Sequence, residues 1–124
     1  MEVHRSLGPG LLEAIYEECL CLEFTRASLG FRRQVSLPVS YKGVRLNCNY
    51  RLDLIVESRM VVEVKAVEKL MPVHEAQLLT YMKLVNIPVG LLLNFHSAVL
   101  KHGIRRMQLG RQLIDNEAVR SGGC

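Results

Sequence analysis

Two periods alternate along the chain. Leu12, Ile15, Cys19 and Leu22 recur at helical spacing, and Pro9 within Gly8-Pro9-Gly10 suits a first helical turn, where its missing N–H costs nothing. The pattern predicts a helix from there to about Ser28, stopped by Gly30, with those four residues as its buried stripe and Glu13, Tyr16 and Glu17 on a neighbouring face. From Val35 the period falls to two. Val35, Leu37, Val39 and Tyr41 lie on one side, Lys42-Gly43 makes a turn, and Val44, Leu46 and Cys48 follow, which predicts a β-hairpin. Residues 51–56 and 60–66 predict two further strands around a tight turn at Glu57-Ser58-Arg59, both apolar enough to be central in a sheet. Pro72 opens a second helix to about Val85, ended by Asn86-Ile87-Pro88. Residues 89–95 form another buried strand and residues 100–109 an edge strand around Gly103. The helical crossover between the strands at Met60 and Val89 makes that pair parallel and right-handed. An α/β fold follows, a mixed central sheet flanked by helices, over a single domain of residues 1–109. Residues 110–124 have little core pattern beyond Leu113, Ile114 and Val119 and predict a short helix or a frayed tail.

Composition removes several classes. Of the 124 residues, 49% are hydrophobic and 23% charged, a globular balance far from that of disordered chains. A chain this long buries roughly two thirds of its unfolded surface, so neither disulfide nor metal is needed to hold it together, and any metal serves chemistry. The charge-free stretch at 84–100 is broken by Asn86, Pro88, Gly90, Asn94, His96 and Ser97, which excludes a spanning helix and a membrane partner. Glu13, Glu17 and Glu18 break any secretory core, so a cytoplasmic protein is expected. Cys19 and Cys21 point apart on a helix, and no CxxC or zinc spacing occurs, so three reduced thiols inside the fold and one on the tail, Cys124, are expected.

Charge is informative through its distribution. The net +4 includes an acid-free block at 24–52 with Arg26, Arg32, Arg33, Lys42, Arg45 and Arg51, and another at 101–111 with four basic residues. Such blocks suit a polyanionic partner, although on charge alone a solvated basic surface is the favoured reading.

The sharper signal is charge where the pattern demands core. Asp53 falls inside Arg51-Leu-Asp-Leu-Ile-Val56, and Glu63 and Lys65 inside Val61-Val-Glu-Val-Lys-Ala66. An isolated buried carboxylate is costly, so these residues need a reason. Residues two apart share a strand face, which puts Glu63 and Lys65 together while Val62 and Val64 fill the core. Asp53 on the neighbouring strand can stand beside Glu63. Two close carboxylates repel unless a proton or a divalent cation sits between them, and an all-oxygen site completed by a backbone carbonyl, here that of Val64, suits Mg²⁺ or Mn²⁺. Lys65 would orient a water and stabilise charge building on a phosphate. The alternative is a solvated edge strand, with Asp53 paired to Arg51 or Arg45. On the second helix His74, Gln77 and Tyr81 make a polar stripe, with Ala76, Leu79 and Met82 facing elsewhere, and Gln77 and Tyr81 can hold a phosphate or a water beside the carboxylates.

These residues resemble a known family. Asp53 with Glu63-Val64-Lys65 is similar to the core signature of the PD-(D/E)XK nuclease superfamily, and Gln77-x₃-Tyr81 resembles the helix motif of its RecB-like members. Gly10-Leu-Leu-Glu13-Ala-Ile-Tyr16 resembles the motif that names its GxxExxY group, and the likeness continues through Tyr41-Lys-Gly43, Tyr50-Arg-Leu-Asp53, 73–81, 90–95 and Gly103-Ile-Arg-Arg106. It departs at Leu52, where the superfamily's name has proline, and at Asn47-Cys-Asn49. The resemblance implies a restriction-endonuclease-like αβββαβ core, Asp53, Glu63 and Glu13 as metal ligands, Lys65 as the catalytic lysine, and Gln77 and Tyr81 as supporting site residues. It implies a Mg²⁺- or Mn²⁺-dependent nuclease, with DNA ahead of RNA as substrate. The competing readings are a non-catalytic nucleic-acid-binding or assembly module and a hydrolase of a small phosphorylated metabolite. At 124 residues the core leaves little mass for a separate recognition domain, so either binding is sequence-indifferent or a protein partner supplies the reading, and a homodimer joined through exposed apolar residues such as Leu70 and Met71 would supply two sites for two strands.

Overall fold

The computed structural model describes residues 2–110. Its elements are α1 (Glu2–Leu7), α2 (Glu13–Arg26), β1 (Phe31–Tyr41), β2 (Val44–Val56), β3 (Met60–Lys65), α3 (Pro72–Val85), β4 (Val89–Asn94), a 3₁₀ turn (Leu100–Gly103) and β5 (Ile104–Gln108). The strands form one sheet in the order β1-β2-β3-β4-β5, antiparallel except where β3 meets β4 through the α3 crossover. From α2 to β4 the order is αβββαβ, the expected core, with α1 added before it and β5 after it. The predicted tail at 110–124 lies outside the described residues from 111 onward.

Two buried clusters sandwich the sheet. Tyr16, Leu20 and Cys21 of α2 pack with Val3, Leu54, Val56, Val62, Val64, Leu93 and Phe95 on one face. Leu78, Tyr81 and Met82 of α3 pack with Leu52, Ile55, Val61 and Leu92 on the other. Gly90 permits that second approach, because a Cβ there would stand 2.6 Å from the Met82 sulfur.

The ends of α3 follow from its sequence. Pro72 occupies the first turn, the Met71 N–H donates to His74 Nδ1 while the His74 N–H donates to the Met71 carbonyl, and Asn86 closes the helix in the left-handed conformation. His74 is thereby a capping residue. Two type I′-like turns have both central residues at positive φ, Lys42-Gly43 and Glu57-Ser58, and they join the antiparallel pairs as expected.

Several expectations are corrected. α1 has only Val3 buried and carries no legible period. α2 begins at Glu13, with the chain at Gly8 and Gly10 in positive φ, and its buried side is Tyr16, Glu17, Leu20 and Cys21. Leu12 (74% exposed), Ile15 and Leu22 face outward, because packing selects the face whose tyrosine and acid have partners over the more aliphatic one. Ser28, at φ 59°, ends α2 in place of Gly30, with Leu29 N–H donating to the Phe24 carbonyl and Ser28 N–H to the Thr25 carbonyl. Residues 44–56 are one strand, with Leu46, Asn47 and Cys48 bulging opposite Val39, and Cys48 is exposed. On α3 the buried residues are Leu78, Tyr81 and Met82, whereas Ala76 is exposed and Leu79 only packs at the margin. Leu70 is partly buried against the α3-side cluster, leaving Met71 as the exposed member of that pair. No helix among the described residues is long and apolar enough to cross a membrane.

Candidate active site

The site forms where two strands part. The β2–β3 register runs from Val56–Met60 to Leu54–Val62 and stops. One rung further, side chains replace the ladder. The Asp53 N–H donates to Glu63 Oε1 at 2.9 Å, and the Val64 N–H donates to Asp53 Oδ2 at 2.9 Å. Each carboxylate thus accepts a backbone hydrogen bond from or next to the other's strand, which holds two acids in contact across the seam.

A local break in alternation lets Asp53 reach that seam. Leu54 belongs to the α2-side cluster and Leu52 to the α3-side cluster, although residues two apart on a regular strand share a face. The same reversal occurs opposite, where Arg33 reaches Glu17 on α2 while Val35 packs on the α3 side. Between them Gln34 stands at φ 50°. The Gln34–Asp53 rung is therefore a twist point, and both side chains turn toward α2, where they border an open cleft of about 280 Å³ with Glu13, Ala14, Glu17 and Val64. At about 30 Å³ per water, that space admits a hydrated ion and a phosphate group.

Glu13 is brought there by the residues around it. The Tyr16 hydroxyl donates to the Gly8 carbonyl at 2.6 Å and accepts from the Leu11 N–H at 3.0 Å, while its ring stacks on Phe95 at 4.4 Å. This clamp fixes the turn before α2, and Glu13 in the first helical turn accepts the Ala66 N–H at 3.2 Å, just past β3.

Lys65 ends β3, half-buried, in register with Asn94. Asn94 is buried, and its amide both accepts from the Val67 N–H and donates to the Val67 carbonyl, which ties down the chain after the lysine. Tyr81 is buried behind the acids, edge-on to Tyr50 at 5.7 Å. Gln77, one turn earlier, is exposed and makes no side-chain hydrogen bond among the described residues.

The electrostatics follow from burial. Desolvation first, and then Asp53, push the Glu63 carboxyl up to about 8, against the opposing pull of the Asp53 N–H and Lys65. Burial also raises Asp53, with Glu17 and Glu13 adding to it, while the Val64 N–H and Lys65 oppose. Tyr81 is raised by burial and then by Glu63 and Asp53. Without a cation, burial and the neighbouring Asp53 thus favour the protonated form of Glu63.

The structure brings Asp53, Glu63, Lys65 and Tyr81 to one seam and sets Glu13 on the rim of the cleft that Asp53 borders. Glu63 lies behind Asp53, outside the cleft wall, and no three acidic, histidine or cysteine side chains among the described residues make a ready cage. Mg²⁺ is ordinarily held by one or two carboxylates with waters, so the all-oxygen set of Asp53, Glu63 and the backbone at Val64 fits a hard divalent cation. The alternative environment for the acids is ruled out: β3 is central, Glu63 is buried, and Asp53 forms no salt bridge among the described residues.

Two polar residues that border the cleft, Glu17 and Gln34, lie outside the set the sequence predicts. Glu17 is buried, accepts from Arg33 at 2.9 Å and from Gln34 Nε2 at 2.7 Å, and lines the cleft one turn after Glu13. Its i, i+4 relation to Glu13 was a usable signal. Nothing in the sequence marks the twist at Gln34.

A search among curated proteins finds no match to the chain. A family model described as the PD-(D/E)XK nuclease superfamily matches residues 1–107, a span that includes α1, α2, the Asp53–Glu63 seam, Lys65 and the α3 crossover. With residues 1–107 of 124 inside that match, the chain belongs to the PD-(D/E)XK nuclease superfamily.

Proposed function

We propose that the protein is a Mg²⁺- or Mn²⁺-dependent nuclease that hydrolyses phosphodiester bonds in DNA, acting in the cytoplasm. The observation that carries this reading is the clasp of half-buried Asp53 with buried Glu63, with Lys65 two residues past Glu63 on β3. A fold with no use for a cation gains nothing by desolvating two carboxylates against each other.

In this reading Asp53, Glu63 and the Val64 carbonyl would hold the cation, with Glu13 of α2 as a further ligand. A bound divalent ion supplies Lewis acidity, making water a better nucleophile and neutralising phosphate charge. The Lys65 ammonium orients the attacking water and stabilises charge on the phosphate as the water oxygen bonds to phosphorus, the bond to the leaving sugar oxygen breaks and a proton lost by the water is returned through solvent to that oxygen. Tyr81, buried near the two acids, and Gln77, on the exposed turn of α3, are supporting residues for a phosphate or a water. Gly10, Glu13 and Tyr16 support placement in the GxxExxY group, with Tyr16 as the clamp that positions Glu13. A homodimer or a partner protein would supply target selection.

The absence of a ready three-acid cage among the described residues favours one second reading, a nucleic-acid-binding module without turnover. A cleavage screen over single-stranded, duplex and branched DNA and RNA, in Mg²⁺ and in Mn²⁺, separates the two. Metal-dependent products from at least one DNA substrate are expected. Binding without products across the whole screen would replace the nuclease with the binding module.

A further inference from the structure

The outer part of the β1–β2 hairpin projects past the sheet, because β3 pairs with β2 only over Leu54–Val56. Its two faces differ in kind. Val35 and Leu37 pack on the α3-side cluster, so Ser36, Pro38 and Ser40 between and beyond them face the α2 side. Their register partners are Arg51, Asn49 and Arg45, and all six are exposed. That face carries two arginines, small polar groups and no acid, and Lys42 stands at its tip. Arg45, Arg51 and Lys42 make no ion pair among the described residues. The face begins beside the twist point, since Arg51 is two residues from Asp53, which borders the cleft on that same side.

We infer that the α2-side face of this arm is where the phosphate backbone of a nucleic-acid substrate lies as it enters the cleft. The inference rests on the nuclease reading and adds the direction of entry. Charge complementarity argues it: a strip of exposed cations without acids, with hydroxyls and an amide between them, suits phosphate contacts rather than base reading. Its length argues it too. Gln34 to Ser40 spans about 20 Å at 3.3 Å per residue, roughly six nucleotide rises of a duplex. The other basic block is differently disposed. Arg106 donates to Gln108 and Arg105 donates to the carbonyls of His102 and Ile104, on β5 at the opposite edge of the sheet.

The test compares three double variants by fluorescence anisotropy on a labelled DNA duplex, across a salt series in chelator. Arg45→Ala/Arg51→Ala is expected to weaken binding on the order of tenfold or more at 0.1 M salt and to lower the log–log salt slope by about 2. Arg45→Lys/Arg51→Lys should retain the parent slope, which excludes a folding defect as the cause. Arg105→Ala/Arg106→Ala should bind within about twofold of the parent. The inference is overturned by parent-like binding in the arm alanine variant, by an equal loss in the β5 variant, by loss in the lysine variant, or by a parent that binds no duplex. The Mn²⁺-induced rise in melting temperature, read on the same proteins without DNA, keeps the two claims separate. An arm variant that loses duplex binding but keeps that rise supports this inference whatever the cleavage screen finds, and a lost rise in the parent alone counts against the metal site.

Discussion

The seam between β2 and β3 and the arm that β1 and β2 form beyond it break the usual burial rule in opposite directions. At the seam the sheet buries acids: Glu63 is 5% exposed and Asp53 is half-buried beside it. On the arm it exposes hydrophobes, with Tyr41 at 61% and Val44 at 62%. The causes differ. The arm is two strands wide with nothing packed over its tip, so its apolar residues stay wet by topology. The acids are placed by bonds, since backbone N–H groups of Asp53 and Val64 meet the carboxylates directly. Exposed apolar residues on a thin hairpin need no special reason. Buried acids held by the main chain do, and function is argued from them.

Breaking the seam should have the largest effect. Lys65→Ala is expected to lower the rate of metal-dependent DNA cleavage by roughly 10²–10⁴-fold, in line with loss of a charged transition-state contact, while far-ultraviolet circular dichroism stays unchanged. Steady activity in that variant would remove Lys65 from the chemistry. Next comes stability. Leu54→Ala, fully buried beside Asp53, should cost about 2–5 kcal/mol in urea denaturation.

The pH dependence sharpens the comparison further. Glu63 rises from its ordinary 4.5 to about 8 in the folded protein, so the folded state binds the proton more tightly than the unfolded chain. Its stabilising contribution is complete below about pH 4.5 and is lost as pH climbs through 8. In chelator the melting temperature should therefore decline over that window, and Glu63→Gln, which keeps an acceptor for the Asp53 N–H, should flatten the decline. A parent profile as flat as the variant's would contradict the assignment. The smallest effect belongs to the arm: Val44→Ala should change unfolding free energy by no more than about 0.5 kcal/mol, measured by urea titration.

The same contrast explains what the sequence made legible. α3 was readable to its last residue because Pro72 and Asn86 punctuate it, and the strand acids were readable because charge stood out against valine and leucine. The sequence pattern divides β2 in two because Asn47-Cys-Asn49 interrupts the apolar residues where a bulge, and no gap, sits. The inward face of α2 is not legible in the sequence, because aliphatic residues form a cleaner stripe than Tyr16, Glu17 and Leu20, and the burial of Tyr16 and Glu17 depends on Phe95, Arg33 and the Gly8 turn. Glu17 shares a face with Glu13 in the sequence pattern, but its place at the site depends on Arg33 and Gln34 of β1. The reversal at Gln34 and Asp53 is a backbone event at non-glycine residues, with no side-chain signature to read.

The most direct test of the central claim, that the buried acids exist to hold a divalent cation, is the thermal melt of the parent and Asp53→Asn with chelator and with Mn²⁺, without nucleic acid. Asparagine keeps an acceptor for the Val64 N–H and removes one charge from a crowded pair, so in chelator the variant should melt at or above the parent's temperature. Mn²⁺ at a hundredfold excess over its dissociation constant should stabilise the parent by about 2.7 kcal/mol, and the variant should lose most of that gain. A parent melting point indifferent to Mn²⁺ and Mg²⁺, together with a variant that melts lower in chelator, would contradict the account.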